Sequence, residues 1–389
     1  MESSAPFRSK TKLLVAFLGM ASVAFLLYQD YCQLPFTTPG TATLRRSHRP
    51  PAPDFNITAN AAAATTTTTQ VRSIDSFRLN TTTRRDHAHE ASSERREVVD
   101  VMLVFTRARE FRNLREKFSI CLTSMFRRSS APLHLHIVTD APSQEVAKQV
   151  LVDASVGCAV SITVEFFDVN DVLEPFRDLV GYMHLHFSPK SGFYSNALFF
   201  LSLGLHRVLS LRRLILLDID LRLESDVWLL HRHFALFPET ALVGMAHEQQ
   251  PTYLHLFHEH RKRHPETRCS LPLPQGNPGF NSGVLLLDLR RMAMSSAFRN
   301  LSSRGGVEYL TSKYRFQGHL GDQDFYTVLS CERPELVYAL PCTWNRQLCQ
   351  WWKEHGYAHV FDDYHRCEGR VDIYHGNCNT SMPTAASGS

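Results

Sequence analysis

The chain carries little net charge for its length. Across 389 residues, 42 Lys and Arg face 38 Asp and Glu, a formal net charge of +4. That excess is too small for a surface that neutralises a run of phosphates, so nucleic acid is not an expected partner. The chain also lacks a long uncharged run at its amino end. Leu13 to Tyr28 falls short of the ~20 apolar residues of an ordinary spanning helix. No small-x-small cleavage site follows, because Tyr28-Gln29-Asp30-Tyr31 comes next. Residues 29–96 lack apolar periodicity and hold Pro39-Gly40, Pro50-Pro51-Ala52-Pro53, an alanine run at 61–64 and a threonine run at 65–69. Such a stretch cannot bury enough apolar area to offset its ordering entropy.

What is present gives these absences a shape. A short apolar run can still span a thin membrane such as that of the endoplasmic reticulum. Arg8, Lys10 and Lys12 precede it and Asp30 follows, which favours a cytoplasmic amino terminus and a lumenal remainder. The expectation is an uncleaved anchor, hence a single-pass type II protein of the endoplasmic reticulum membrane, with a cleaved signal peptide as the alternative. The organisation reads as a cytoplasmic tail (1–12), an anchor (13–28), a flexible stem (29–96), a lumenal domain (97–383) and a disordered tail (384–389). Of nine cysteines, Cys342, Cys349, Cys367 and Cys378 cluster near the carboxyl end. In an oxidising compartment they read as disulfides rather than a zinc site, with three pairings open. Sequons at Asn56, Asn80, Asn300 and Asn379 are compatible with that compartment.

The domain alternates strand and helix patterns. Val98 to Phe105, Leu133 to Val138 and Ser161 to Phe167 read as strands, with helices at about 110–126 and 143–154 between them. A helix at 194–209, a strand at 213–217 and another at 241–246 follow. That alternation predicts an α/β fold with a mostly parallel, Rossmann-like sheet flanked by helices. Ligands of such sheets bind outside the carboxyl ends of the strands, which makes Val104, Phe105 and Thr106 candidate nucleotide contacts. Core packing is the plain alternative for Val104 and Phe105.

The centre of the chain is Leu214-Ile215-Leu216-Leu217-Asp218-Ile219-Asp220. Residues two apart on a strand share a face, so Asp218 and Asp220 aim together. Two carboxylates at the end of a buried strand are costly unless a positive group sits on them, and a hard divalent cation is the simplest one. A D-x-D alone is weak, since short motifs recur by chance. Three further stretches add to it. Phe280-Asn281-Ser282-Gly283 enters an apolar strand and offers Asn281 and Ser282 to a sugar, with Gly283 permitting close backbone approach. His319-Leu320-Gly321-Asp322-Gln323 resembles a helix start, with Asp322 as a cap and Gln323 facing the site. His375 could complete the metal site. Lys190 could meet a phosphate, although a solvated lysine is the simpler reading. Residues 247–275 read as a long irregular loop for acceptor recognition.

In this order the stretches resemble the glycogenin-like retaining glycosyltransferases of GT-A-type fold. The resemblance rests on Leu216 to Asp220, Phe280 to Val284, His319 to Asp324, and a carboxyl-terminal run from Cys342-Thr343-Trp344-Asn345 through Trp351-Trp352 to His375-Gly376-Asn377-Cys378-Asn379. It covers about residues 98 to 383. It implies that Asp218, Asp220 and His375 hold manganese, with magnesium as the alternative ion. It implies donor contacts to UDP-xylose from Val104 to Thr106, Ile219, Ser282, Leu320 and Gln323. Trp352, Asn377 and the turn His255, Leu256, Phe257, His258 fall on the acceptor side. Cys342 would pair with Cys367, and Cys349 with Cys378. The implied reaction adds an α1,3-linked xylose to a xylosyl-glucose on a serine of an EGF-like repeat, as in Notch receptors. Whether the chain forms a homodimer stays open.

A cation bridging the leaving diphosphate stabilises charge as the sugar C1–O bond breaks. Retaining glycosidases use a second carboxylate as nucleophile, but no residue is forced into that role here. A front-face displacement is therefore expected, with the departing phosphate helping to deprotonate the acceptor and the Gln323 amide supporting the donor sugar. Two rivals remain at this point: a related transferase using UDP-glucose or UDP-galactose, and an inactive lumenal glycan-binding protein.

Overall fold

The computed structural model describes residues 70–79, 96–188 and 197–383. The expected anchor, most of the stem, Lys190 and the 384–389 tail lie outside them. Among the described residues, no helix is long and apolar enough to cross a membrane. The strands in chain order are β1 (Asp75–Leu79), β2 (Val99–Phe105), β3 (Leu133–Thr139), β4 (Ile162–Asp168), β5 (Leu214–Leu217), β6 (Leu221–Leu223), β7 (Val243–His247), β8 (Phe280–Leu287), β9 (Val337–Leu340), β10 (Arg346–Gln347) and β11 (Ile373–His375). Eight of them form one sheet in the order β1-β4-β3-β2-β5-β8-β7-β9, and a small sheet has the order β10-β11-β6.

The large sheet is mostly parallel, as the strand–helix alternation predicts. β2 is flanked by β3 and β5 in parallel, β3 pairs β4 in parallel, and β7 pairs β9 in parallel. β1 and β8 run against their neighbours, which makes the sheet mixed. β1 also corrects a boundary. Asp75–Leu79 falls in the stretch read as stem, yet it pairs with β4 from Asp75↔Phe166 to Leu79↔Ile162. Phe77 stacks on Phe166, so five residues with only two apolar side chains facing inward suffice for an edge strand.

Both faces of the sheet are covered, which explains why β5 is an unbroken apolar run, buried at every residue. On one face, helix Arg112–Arg128 buries Leu114, Phe118, Cys121, Leu122 and Met125, a stripe at helical spacing, beside Ala147, Val150, Leu151 and Ala154 of helix Ala141–Ala154. The latter starts two residues earlier than expected. Asp140 is its N-cap, accepting from the Ser143 amide at 2.8 Å, and Pro142 sits in the first turn. The other face is covered by helices Arg177–Phe187 and Asp322–Glu332.

Three local expectations are corrected. The helix expected over 194–209 is, from 197 on, a succession of single turns, Ala197–Phe200, Leu201–Gly204 and Leu205–Arg207. Residues 247–275 are not an irregular loop but contain helices Thr252–Leu256 and His258–Arg263. Asp322 is the first residue of its helix rather than the cap. Gly321, at φ 69°, precedes it, and the Asp322 carboxylate instead accepts from Ser202 Oγ at 2.5 Å.

Cys342 is bonded to Cys367 and Cys349 to Cys378, as the resemblance implies. A third bridge, Cys269–Cys331, ties the segment after the two short helices to helix Asp322–Glu332. The Cys349–Cys378 bridge closes a loop of 29 residues. Loop-closure entropy puts its contribution at about 3–4 kcal/mol. Cys378 lies three residues beyond His375, so Cys349→Ala with Cys378→Ala is expected to lower thermal stability and to weaken any divalent-cation binding at that histidine together. Titration of a divalent cation against the folded protein below its melting point checks this, and an unchanged half-saturation counts against the coupling.

Candidate active site

The two sheets meet at Asp218-Ile219-Asp220. β5 ends at Leu217, the chain turns through these three residues, and β6 begins at Leu221 in the small sheet. There β11 lies antiparallel to β6 with His375 opposite Leu221, and the Gly376 amide donates to the Asp220 carbonyl at 2.9 Å. On the other side β8 pairs Val284 with Leu217, and the Asp218 amide donates to the Gly283 carbonyl at 2.9 Å. Residues 65 to 67 positions away in the chain on one side, and 154 to 156 on the other, are thereby fixed against one turn by ladder hydrogen bonds.

His375 Nε2 lies 3.4 Å from Asp220 Oδ1 and 3.6 Å from Asp218 Oδ2. One ligand atom from each of the three lies within 4.8 Å of the others. Asp220 is 2% exposed, and neither of its carboxylate oxygens has a hydrogen-bond partner. Buried carboxylate oxygens without partners are costly, and a cation answers that cost. Asp218 has a side chain 57% exposed, opening the group to a cleft. His375 Nδ1 is 2.9 Å from Asn345 Oδ1, which can only accept, so the ring proton sits on Nδ1 and the Nε2 lone pair faces the carboxylates. That is the tautomer a metal needs. Gly283 leaves room for the ring: a Cβ there would lie 2.3 Å from His375 Cε1.

Electrostatics point the same way. Although the Asp218 side chain opens to the cleft, desolvation by the walls around it, with the charge of Asp220, pushes its carboxyl above the ordinary value against the pull of His375 and Lys117. Burial works to lower His375, but Asp220, Asp218 and Glu248 outweigh it and hold the imidazole above its ordinary value. Burial lowers the Lys117 ammonium, opposed by Asp220 and Asp218. A crowd of anions relieved by cations is the setting in which a divalent ion becomes the largest local charge. The site fits one, with three protein ligands and coordination positions left over for oxygens of a substrate.

Beside the three ligands lies a buried polar network that the sequence reading missed in part. Gln323 accepts from the Ser282 amide at 3.2 Å and donates to Glu248 Oε2 at 3.1 Å and to the Tyr253 hydroxyl at 3.2 Å. Asn281 is committed internally: it donates to Glu248 Oε2 at 3.2 Å and accepts from Gly283 and Asn345. Its side chain is therefore not free for the sugar contact expected of it. Burial pushes Glu248 up to about 7, against the hydrogen bond from Asn281, the charge of His375 and the hydrogen bond from Gln323. Asp324 accepts from the Tyr253 hydroxyl and from the His319 and Leu320 amides, and burial pushes it up to about 7. A carboxylate two residues beyond the apolar strand 241–246 was the signal for Glu248, of the same kind as the D-x-D.

The other expected residues distribute as follows. Ile219 is buried between the two aspartates. The Phe105 ring is fully buried against Phe118, with centroids 4.3 Å apart, and its carbonyl accepts from Thr139 Oγ1. Core packing, the plain alternative, describes that ring. Val104 is half-buried and Thr106 buried at the carboxyl end of β2. Leu256 and Phe257 turn into the apolar core, which leaves His255, half-buried, and His258, exposed, at the surface of that turn. His255 packs on Trp352 and Tyr357, and Trp352 donates to Thr252 Oγ1 at 2.9 Å. Asn377 accepts from the Leu348 and Cys349 amides, pinning the tail beside the bridge.

Replacing Asn345 by alanine removes the acceptor that fixes the His375 tautomer. Metal affinity is expected to fall about 10- to 100-fold. The measurement is a divalent-cation titration of the protein, with an unchanged half-saturation as the contrary result.

A Rossmann-like mixed sheet with a D-x-D and a distant histidine at its carboxyl edge defines a GT-A-like glycosyltransferase, an enzyme class that moves the sugar of a nucleotide-sugar donor to a glycan acceptor, releasing the nucleotide, and typically uses a divalent metal. No family model matches the sequence. The chain is 42% identical over 291 residues to xyloside xylosyltransferase 1 of the mouse, an alignment that spans 73% of this chain and 74% of the mouse protein. The human protein of that name gives the same identity and coverage. The crystal structure of mouse xyloside xylosyltransferase 1 in its apo form superposes with a TM-score of 0.70 at 41% identity, over 74% of this chain and 100% of that one. The chain belongs to the xyloside xylosyltransferase family of glycosyltransferases.

Proposed function

We propose that this enzyme transfers xylose from UDP-xylose to a xylosyl-glucose O-linked to serine of EGF-like repeats, as in Notch receptors. The new linkage is α1,3, with retention of configuration, and manganese is the working ion. The observation that carries the reading is the convergence of Asp218, Asp220 and His375 at the junction of the two sheets, in a chain 42% identical to xyloside xylosyltransferase 1. Asp218, Asp220 and Nε2 of His375 would hold the cation, which supplies Lewis-acid stabilisation of the departing diphosphate.

The chain's own groups do the rest. Asn345 holds His375 in the ligating tautomer. Val104, Thr106, Ile219, Ser282 and Leu320 line the donor side, and His255, His258, Trp352 and Asn377 the acceptor side. The Gln323 amide is fixed at both ends by Ser282, Glu248 and Tyr253, so it presents a rigid, weakly nucleophilic face to the donor sugar. Three buried carboxylates stand near it, Asp322, Glu248 and Asp324, but all are shifted toward the neutral acid, Asp322 accepts from Ser202 and Asp324 already accepts three hydrogen bonds. None is poised as a nucleophile, which supports front-face displacement, the leaving phosphate taking the acceptor proton. A covalent glycosyl-enzyme trapped at any of the three would overturn this mechanism.

Residues 13–28 are read as the anchor of a type II protein of the endoplasmic reticulum, with the catalytic domain lumenal. The decisive experiment incubates a xylosyl-glucosylated EGF-like repeat with manganese and UDP-xylose, UDP-glucose or UDP-galactose in parallel, and weighs the product by mass spectrometry. A single added pentose from UDP-xylose alone is expected. Addition of a hexose, or no addition with an intact fold, would overturn the donor assignment.

A further inference from the structure

The sheet carries a second convergence of ligand-type side chains, at the rim opposite the cleft. In the parallel strands β2, β3 and β4, Asp100 is paired with His134, and His136 with Glu165. These positions alternate with Val99, Val101, Leu133 and Leu135, which are buried in the core on the other face, so all four side chains project from one face. Both rings reach the same oxygen: His136 Nε2 is 2.9 Å and His134 Nδ1 3.2 Å from Asp100 Oδ1. The opposite ring nitrogens turn toward one oxygen of Glu165, at 3.6 Å from His134 Nε2 and 3.7 Å from His136 Nδ1. Neither of these nitrogens has a hydrogen-bond partner, and the His136 side chain is only 3% exposed.

We propose that Asp100, His134 and His136 form a second metal site, suited to a borderline divalent cation such as zinc, with Glu165 orienting both rings from behind. Zinc takes imidazole nitrogen and carboxylate oxygen at about 2.0–2.2 Å, and a tetrahedral arrangement then spaces its ligands at about 3.3 Å. The separations from Asp100 to the two rings are within a few tenths of an ångström of that value. One ligand atom from each of the three lies within 4.8 Å of the others. Two histidines one residue apart on a strand, with a carboxylate from the next strand, form a rigid three-ligand half-shell. A fourth position remains for water or solvent-borne ligand, since Asp100, His134 and Glu165 are 24–31% exposed. A carboxylate hydrogen-bonded behind a ligating histidine fixes the ring and strengthens it as a donor; Glu165 stands in that direction, 3.6 and 3.7 Å from the two rear nitrogens, a short movement from that role.

The site differs in kind from the one at the cleft. Two imidazoles favour zinc over manganese, whereas the cleft offers more oxygen than nitrogen and adjoins the place of a diphosphate. Its place is structural: a cation there would tie three adjacent strands at their amino-terminal ends, independently of whether the cleft acts on UDP-xylose.

The test uses the full-length protein in detergent, titrated with zinc against a chromophoric chelator. Asp220→Asn is the background, so that the cleft contributes little. On that background one tight zinc equivalent is expected, and either Asp100→Asn or His134→Gln should weaken it at least about tenfold. Cobalt gives a direct second reading: a visible absorption band of tetrahedral type in the Asp220→Asn protein, absent from the two double variants. Asp100→Asn is nearly isosteric, and far-UV circular dichroism identifies a variant that has not folded. Zinc affinity and cobalt spectrum unchanged by both substitutions would overturn the proposal, as would the absence of a tight equivalent in the Asp220→Asn protein.

Discussion

Replacing Asp220 by asparagine is expected to reduce xylosyl transfer by about a thousandfold, roughly 4 kcal/mol of transition-state stabilisation, while leaving the fold intact. The size follows from the geometry. Asp220 is the buried ligand of the pair, 2% exposed, with both oxygens lacking a protein partner and His375 Nε2 at 3.4 Å. Asparagine keeps the volume and removes the charge. The same substitution makes a second, opposite-signed prediction. Without metal, a buried carboxylate crowded by Asp218 is a burden on the folded state, so the metal-free variant should melt no lower than the wild type, and about 1 kcal/mol more stable is reasonable. With manganese and UDP the order should reverse, because only the wild type gains the stabilisation that ligand binding to the native state confers. Thermal melts of both proteins with and without manganese and UDP read this directly. A variant that loses activity and also melts lower without metal would make Asp220 a structural residue.

Gly283→Ala is expected to cut activity about a hundredfold and to raise the manganese needed for half-maximal rate, without any change to a ligand. An added Cβ would lie 2.3 Å from His375 Cε1, 2.7 Å from Nδ1 and 3.0 Å from Nε2. The ring cannot step aside freely. It is buried, it is hydrogen-bonded to Asn345, and β11 is held to β6 on one side and to β10 on the other. Overpacking at such a site costs about 1–3 kcal/mol of stability, and the ring displacement should be felt at the metal. Enzyme assays across manganese concentration separate the two effects. A lower melting temperature with an unchanged manganese dependence would mean that His375 keeps its place and does not depend on Gly283.

The distance between these two predictions and the bare sequence shows what the sequence could say. The order of strands and helices was legible because β2, β3 and β4 alternate with amphipathic helices and carry a buried apolar face, while β5 and β8 are largely apolar runs. Asp218, Asp220 and His375 were reachable through motif and resemblance, and the structure brings them together. The role of Asn345 was not, Gly283 was read only as permitting close backbone approach without its partner, and Glu248 left a signal too weak to assign. Gly283 matters because β8 passes within a Cβ of an imidazole delivered from β11, and only the crossing of two sheets at the D-x-D makes that contact. Asn345 matters through one hydrogen bond to a residue 30 positions away. Asp322 read as a cap because an acidic residue after glycine fits that pattern, but a tertiary partner, Ser202, took its carboxylate. β1 was hidden by its surroundings: two inward-facing apolar residues in a polar stretch carry too little periodicity to be seen, although β4 offers them a complete edge. Long-range pairing of this kind lies outside what local pattern can register.

The most direct measurement is an anomalous-scattering map from crystals of the catalytic domain grown with manganese and UDP. The prediction is one strong peak bonded to His375 Nε2 and to the Asp218 and Asp220 carboxylates, with the diphosphate on its open side, and no such peak in the Asp220→Asn protein. UDP bound in the cleft with the peak elsewhere, or with His375 turned away from it, would contradict the metal-centred reading.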